Sequence, residues 1–327
     1  MRIKAIISDF DGTLCPTSSI NPYNNESNNI IPADLEDTLY DISNSIHICI
    51  ISSKDFYFLY EKAKKFSNII SCILGMETLF LENNKDRVND IDNRNSNASL
   101  LTDNKKTNSN LATTIDNKYP ITSRHLLVDY DVLLNNSVIL NEIVNFFEIK
   151  YPLITIEKKF LTDKESILVG ITLDWRAEKD WNTNRNTVES IVKKSLFNIY
   201  KKPKNLDLSK DHFYYYLQKF FVQKYASHPF IDIYSIKTSK ADAFDYIISE
   251  LIKLNYNKGK IIYLGDSEND NPAFKKADIS IGINSDNRLK PNLKCKYNLK
   301  FENLSMFLNK LITNNLSFRI ITVAILI

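Results

Sequence analysis

Two apolar runs, each closed by a pair of carboxylates, lie near opposite ends of the chain. Residues 5–14 read Ala-Ile-Ile-Ser-Asp-Phe-Asp-Gly-Thr-Leu, so Asp9 and Asp11 end the first run, and Gly12 and Thr13 follow at once. Residues 261–270 read Ile-Ile-Tyr-Leu-Gly-Asp-Ser-Glu-Asn-Asp, which ends the second run with Asp266 and Asp270. Short continuous apolar runs suit strands buried on both faces of a parallel sheet. In open parallel sheets the reactive groups gather at the carboxyl ends of the strands. An α/β fold is therefore expected, with one site built from distant parts of the chain.

Four carboxylates converging in a cleft would repel one another and raise each other's pKa. A divalent cation removes that penalty, and hard oxygen ligands beside a phosphate suit magnesium. Zinc would call for His and Cys, but the chain has only 4 His, none at ligand spacing to another. The expected chemistry is magnesium-dependent phosphoryl transfer with an aspartate as nucleophile.

Composition narrows the class further. At 327 residues the chain has room for two domains, or one with a large insertion. The net charge of +3 is too slight to argue for nucleic acid, and no Lys/Arg block stands out. Cys15, Cys49, Cys72 and Cys295 are scattered without a CxxC pair, which suggests reduced thiols and a cytoplasmic protein. The apolar stretch before Asp9 is too short for a signal peptide, and the apolar end, Phe318 to Ile327, is too short to span a bilayer. That end reads as a buried strand or helix end, with an exposed tail as the alternative. The expected partner is a small phosphate ester, without nucleic acid or membrane, bound by a monomer or small homo-oligomer.

Along the chain, strands alternate with helices. Lys4–Ser8, Ile46–Ile51 and Ile69–Leu74 read as strands, and Ile31–Ser43 and Asp55–Phe66 as helices. Residues 83–120 are rich in Asn, Asp, Lys and Ser and poor in large apolar residues, which reads as a linker or insertion. Order returns over 121–235. There Leu126–Val128 reads as a strand and Val138–Glu148 as a helix. Ile154–Phe160 and Ile167–Asp174 read as a hairpin, Thr187–Tyr200 and His212–Tyr225 as amphipathic helices, and Phe230–Ile236 as a strand. The division expected is a core over 1–82 and 236–313, an inserted α+β domain over 121–235, and an apolar tail over 314–327.

Each motif alone has an ordinary explanation. Asp9 and Asp11 could end a strand in a turn, Gly265-Asp-x-x-x-Asp could cap a helix, Ser52 could be a helix N-cap, and Lys240 a solvated helix start. Asp90/Asp92 and Asp129/Asp131 are further Asp-x-Asp pairs, but neither is followed by Gly-Thr. The first reads as solvated surface and the second as a strand end in the insertion. The order of the features raises the odds: acidic pair, strand-end Ser52, Lys240 at a helix start, acidic pair.

In that order the residues resemble the four motifs of the haloacid dehalogenase superfamily of phosphohydrolases. Asp9-Phe-Asp-Gly-Thr-Leu matches the first motif, Ser52 the second, Lys240-Ala-Asp-Ala the third, and Gly265-Asp-Ser-Glu-Asn-Asp the fourth. The resemblance covers about 1–80 and 236–310. It implies a Rossmann-like parallel-sheet core with an inserted α+β cap of type two (IIB). The placement of the insert and Asn269 before Asp270 point to the branch of sucrose-phosphate, trehalose-phosphate and mannosyl-3-phosphoglycerate phosphatases. Cofactor-type sugar phosphatases and phosphomannomutases belong to it too. Ser52-Ser53-Lys54 departs from the commoner Thr/Ser-Gly-Arg, and Ala241 replaces the usual Gly.

The roles implied follow the motifs. Asp9 is the nucleophile, and Asp11 the acid and then the base. Lys240 offsets charge. Gly12, Ser52 and Asn269 hold the phosphate. Magnesium is bound by Asp9, the Asp11 carbonyl and Asp266, with Asp270 acting through water or by holding Lys240. Arg176, in the run Asp174-Trp175-Arg176 with Lys179 and Trp181 nearby, is the candidate for reading a second acidic group, against a packed Trp in a surface loop. The reaction expected is hydrolysis of a small phosphorylated sugar or sugar acid. A phosphomutase, or less readily a silent sugar-phosphate-binding protein, are the alternatives.

Overall fold

A computed structural model of the protein describes residues 1–16, 30–82, 119–162, 167–175, 177, 190, 194, 220–225, 229–254, 259–284 and 291–318. Its strands are β1 (Ile3–Ser8), β2 (His47–Ile51), β3 (Ile69–Cys72), β4 (Glu77–Leu81), β5 (Ile121–Leu126), β6 (Thr155–Phe160), β7 (Leu168–Asp174), β8 (Phe221–Lys224), β9 (Phe230–Tyr234), β10 (Lys260–Gly265), β11 (Ile279–Asn284) and β12 (Tyr297–Lys300). The α-helices are α1 (Ala33–Ser43), α2 (Phe56–Ala63), α3 (Tyr130–Lys150), α4 (Lys240–Lys253), α5 (Asn271–Phe274) and α6 (Leu304–Thr313).

The larger sheet runs β12-β11-β10-β1-β2-β3-β4-β5. It is parallel from β12 to β3, and the last two strands are antiparallel. Alternation along each strand sends side chains to opposite faces. Ile6, Ile48, Ile50, Ile262 and Leu264 share one apolar cluster with residues of α1, α2 and α6. Ala5, Ile7, Cys49, Ile51 and Tyr263 share another with α4 and α5. Both faces are thus covered, which is why these strands read as unbroken apolar runs. The chain leaves β1 toward β2 and β3 on one side, and returns through β10, β11 and β12 on the other. The strand order therefore reverses at β1, the place where open α/β sheets hold their ligands.

A second sheet, β6-β7-β9-β8, is antiparallel and enters the chain between β5 and α4. One of its faces is apolar. Leu168, Ile171, Leu173, Ile231 and Ile233 pack there on Leu140, Ile143, Val144 and Phe147 of α3. This is the inserted α+β cap.

Three elements differ from the sequence reading. The inserted domain was expected to start at residue 121, whereas β5 pairs antiparallel with β4 and forms the edge of the large sheet. Leu127 and Val128, expected to continue a strand, lie beyond it, and the helix starts at Tyr130 rather than Val138. Asp129 and Asp131 accordingly open α3 instead of ending a strand. The expected helix His212–Tyr225 ends in strand β8, because Phe221 stacks on Tyr234 while Val222 joins the opposite, apolar face. Its first part, most of Thr187–Tyr200, and the turn at 163–166 lie outside the described residues. The beginning of the apolar tail is tied down. Ile3 N donates to the Leu316 carbonyl at 2.7 Å, Phe318 N donates to Met1 O at 2.8 Å, and Phe318 is buried. No helix among the described residues is long and apolar enough to cross a membrane.

Candidate active site

The two acid-bearing strand ends do meet. β1 and β10 are neighbours, and Asp9 N donates to the Leu264 carbonyl at 2.9 Å. The Asp9 carboxylate is buried. Its Oδ1 accepts Phe10 N at 2.7 Å, and its Oδ2 faces Lys240 Nζ at 2.7 Å. Lys240 is the first residue of α4, whose N-cap Ser239 accepts from Asp242 N. This cap aims Lys240 into the sheet, where its ammonium also meets Asp270 Oδ1 at 2.7 Å. Lys240 is 1% exposed, so the solvated-lysine alternative does not hold.

Asp270 is fully buried and its two oxygens are engaged by protein donors. Oδ1 accepts from Lys240 Nζ and from Tyr263 Oη, each at 2.7 Å. Oδ2 accepts Asp266 N at 3.1 Å and Ser267 N at 3.0 Å. Of the two roles open for it, this geometry suits holding Lys240 and the Asp266 loop. Thr13 Oγ1 donates to Asp266 Oδ1 at 3.3 Å. Gly12 has φ +79°, and a Cβ there would lie 1.9 Å from Asp266 Oδ2. Glycine suits this position on two counts, its left-handed backbone and the Asp266 carboxylate packed against its Cα.

Burial and mutual repulsion govern the charges. Burial, then the Asp270 charge, raise Asp9 to about 7 against the opposing pull of Lys240. Asp266 is pushed well above the carboxylate range by burial and by Asp9 and Asp270. Burial would discharge Lys240, but Asp270 and Asp9 outweigh it and keep the ammonium above its ordinary range. A hard cation fits here. Oxygens of Asp9, Asp266 and Asp270 lie within 4.8 Å of one another, and with both Asp270 oxygens engaged by protein donors, Asp9 and Asp266 are the carboxylates left to meet an ion. The donor set is all oxygen, and its excess negative charge is what a magnesium ion neutralises.

Asp11 differs from its neighbours. Its Oδ1 is buried and has no hydrogen-bond partner. Burial raises its pKa, opposed chiefly by Lys54. A carboxyl that burial shifts toward its protonated form, with one oxygen that no protein group engages, suits a general acid. Ser52 closes β2 and is buried. Its Oγ accepts Lys54 N at 3.2 Å, which leaves the hydroxyl proton available to donate. Asn269 accepts from Ser267 Oγ at 2.6 Å, and its Nδ2 reaches toward Tyr225 Oη of the cap at 3.5 Å. Arg176, Lys179 and Trp181 lie outside the described residues. Trp175 is fully buried against Phe147 and Tyr151.

The cap adds residues that the sequence did not single out. On its polar face Glu157 stands opposite Thr172, Thr172 opposite Asp232, and Asp232 opposite Gln223. The next row holds Lys159 and Tyr234. Asp232 is 3% exposed and accepts from Thr172 Oγ1 at 2.5 Å, Tyr225 Oη at 2.6 Å and Tyr234 Oη at 2.8 Å. Burial and Asp232 raise both tyrosines far above their ordinary value, so the hydroxyls stay as donors. Lys159 Nζ donates to Glu157 Oε1 at 2.9 Å, and Lys54 Nζ from the core donates to Glu157 Oε2 at 2.6 Å. Alternation along β6 was the only signal. An inward polar row has the same period as a solvated one.

Known proteins share this fold. A family profile for haloacid dehalogenase-like hydrolases matches residues 6–298. Among solved structures, the C-terminal domain of C. albicans trehalose-6-phosphate phosphatase superposes with TM-score 0.58 at 15% identity, covering 96% of this chain and 93% of that one. A trehalose-6-phosphate phosphatase related protein gives 0.55 at 13% identity, over 95% and 98%. A haloacid dehalogenase-like hydrolase from Bacteroides thetaiotaomicron gives 0.53 at 11% identity, over 95% and 100%. No curated protein sequence matches. These identities carry the fold alone, while the profile spans both acidic motifs and everything between them. The chain belongs to the haloacid dehalogenase-like hydrolases.

Proposed function

We propose that the protein is a magnesium-dependent phosphomonoester hydrolase that acts on a small phosphorylated sugar through an aspartyl-phosphate. The observation that carries the reading is the buried chain Asp9–Lys240–Asp270, set beside an Asp11 oxygen that no protein group occupies. Asp9 attacks phosphorus as the P–O bond to the sugar breaks, and Asp11 gives its proton to the departing oxygen. Asp11, now ionised, takes a proton from water, and the resulting attack on phosphorus frees Asp9 and releases phosphate. Ser52 and Asn269 orient phosphoryl oxygens, and Lys240 offsets the charge that gathers on them. Magnesium, when bound by Asp9, Asp266 and the Asp11 carbonyl, supplies further charge neutralisation at the phosphoryl group.

The cap supports a sugar as the leaving group. Glu157, Lys159, Thr172, Asp232 and Tyr225 alternate acceptors and donors on one face. Two carboxylates against the one ammonium of Lys159 leave this face one charge negative, and Lys54 Nζ on Glu157 brings it to neutrality, which suits neutral hydroxyls. The trehalose-6-phosphate phosphatase domain that shares the fold is consistent with this class.

The test is phosphate release from sucrose 6-phosphate, trehalose 6-phosphate, mannosyl-3-phosphoglycerate, hexose phosphates and phosphoglycolate, with magnesium and with chelator, for wild type and Asp9→Asn. Release that requires both magnesium and Asp9, with a sugar ester preferred, is expected. Silence on every ester overturns the hydrolase. A preference for phosphoglycolate overturns the sugar.

A further inference from the structure

Lys54 belongs to two structures at once. Its backbone N donates to Ser52 Oγ at 3.2 Å, and its carbonyl accepts Ile73 N at 3.0 Å, so its main chain is fixed in the core beside the phosphate-orienting serine. Its side chain leaves the core, passes over the Phe58 ring with Nζ 5.2 Å from the centroid, and ends on Glu157 of the cap at 2.6 Å. The other oxygen of Glu157 is held by Lys159, whose side chain is 2% exposed.

An ordinary surface pair joins two flexible side chains and contributes little. This one differs in three ways. The lysine rests on an aromatic face, the glutamate is clamped from its second oxygen, and the two charges sit on different domains. Asp11 and Asp232 are also close enough to hold the ammonium in its charged form against its own burial.

We infer that Lys54 is a positioning residue that grips Glu157, holds the cap over the site, and sets the roof above Asp11 where the leaving group lies. Closure of this kind completes a site and excludes water. The residue acts through the cap rather than on phosphorus. Its contribution appears as the fraction of molecules closed, which multiplies apparent affinity.

The experiment measures the cap-to-core distance by pulsed spin-label spectroscopy. Labels are placed at Ile149→Cys on the cap and Met306→Cys on the core, both exposed positions, in a full-length chain carrying Cys295→Ser. The expected result is one short distance in the parent, a shift to longer and broader distances in Lys54→Met and in Glu157→Gln, and recovery of the short distance in Lys54→Arg. Identical distributions in the parent and Lys54→Met overturn the inference.

The kinetic arm rests on the hydrolase reading and is separate from it. Lys54→Met is expected to raise KM about fivefold with a smaller change in kcat, with Lys54→Arg near the parent. A fall in kcat alone, at unchanged distance, overturns the grip and places Lys54 at the phosphate. A distance shift in a protein that releases phosphate from no ester sustains the grip and removes the hydrolase.

Discussion

Lys240 stands between two buried carboxylates, and removing its charge would leave both of them uncompensated. Breaking a buried pair in this way costs about 3–5 kcal/mol. Lys240→Met should therefore show an unfolding free energy in urea lower by that amount, together with loss of turnover, while Lys240→Arg should retain more stability than activity. Asp9 gives a pH dependence whose sign is set by its upward shift. Burial raises its carboxyl to about 7 in the fold from an ordinary 3.8, so the cost of ionising it is fully present above about 7 and fades as pH falls toward 3.8. Magnesium needs the ionised form. Thermal melts with magnesium and with chelator should therefore differ more at about pH 8 than at about pH 6. An equal stabilisation at both would remove Asp9 from the metal site. Gly12→Ala should lose magnesium-dependent stabilisation while keeping the fold, since its Cβ would fall on Asp266.

At the scale of elements, legibility follows the number of buried faces. β1, β2 and β10 are covered on both sides and announced themselves as apolar runs, and three of the four motifs, at their ends, came with them, while Lys240 opens a helix. β5 and β8 did not. Both are edge strands of four to six residues with mixed burial, and what makes them strands is a partner far away in sequence. The cap's polar row escaped for a related reason, because Glu157 and Asp232 look like surface residues until the core lies beneath them. Glu77 is a third such case. It sits fully buried in β4, accepts from Arg124 Nε of β5 at 2.6 Å, and accepts from Thr162 N at 3.0 Å and Oγ1 at 3.0 Å just past β6. It ties the sheet edge to the foot of the cap. Glu77→Ala should cost about 3–5 kcal/mol in chemical denaturation, and should do so without requiring any change in the chemistry at Asp9.

For the whole molecule, the division of labour between core and cap makes a kinetic prediction. Asp232→Asn weakens acceptance from three hydroxyls on the cap, and Asp232 accepts no hydrogen bond from Ser52, Asn269 or Lys240. Hydrogen bonds to a charged group are worth about 1.5–3 kcal/mol. The variant should lose about 10- to 100-fold in kcat/KM on a sugar phosphate, and little on p-nitrophenyl phosphate, which does not reach the cap face. Equal losses on both would mean that the cap only shields the site.

The position of β1 in the large sheet has a consequence for how the enzyme comes into being. Asp9 is made before the cap, yet the strand that must lie beside it, leading into Asp266 and Asp270, is made only after the cap. Until then β1 has β2 on one side and an open edge on the other, and Lys240 has nothing to bind. A chain still on the ribosome therefore carries an aspartate in sequence but no catalyst. The last long-range pairing is also the one that assembles the charges. Such distant contacts form slowly, and turnover would measure the arrival of β10 more sharply than any spectroscopic signal from the bulk of the fold.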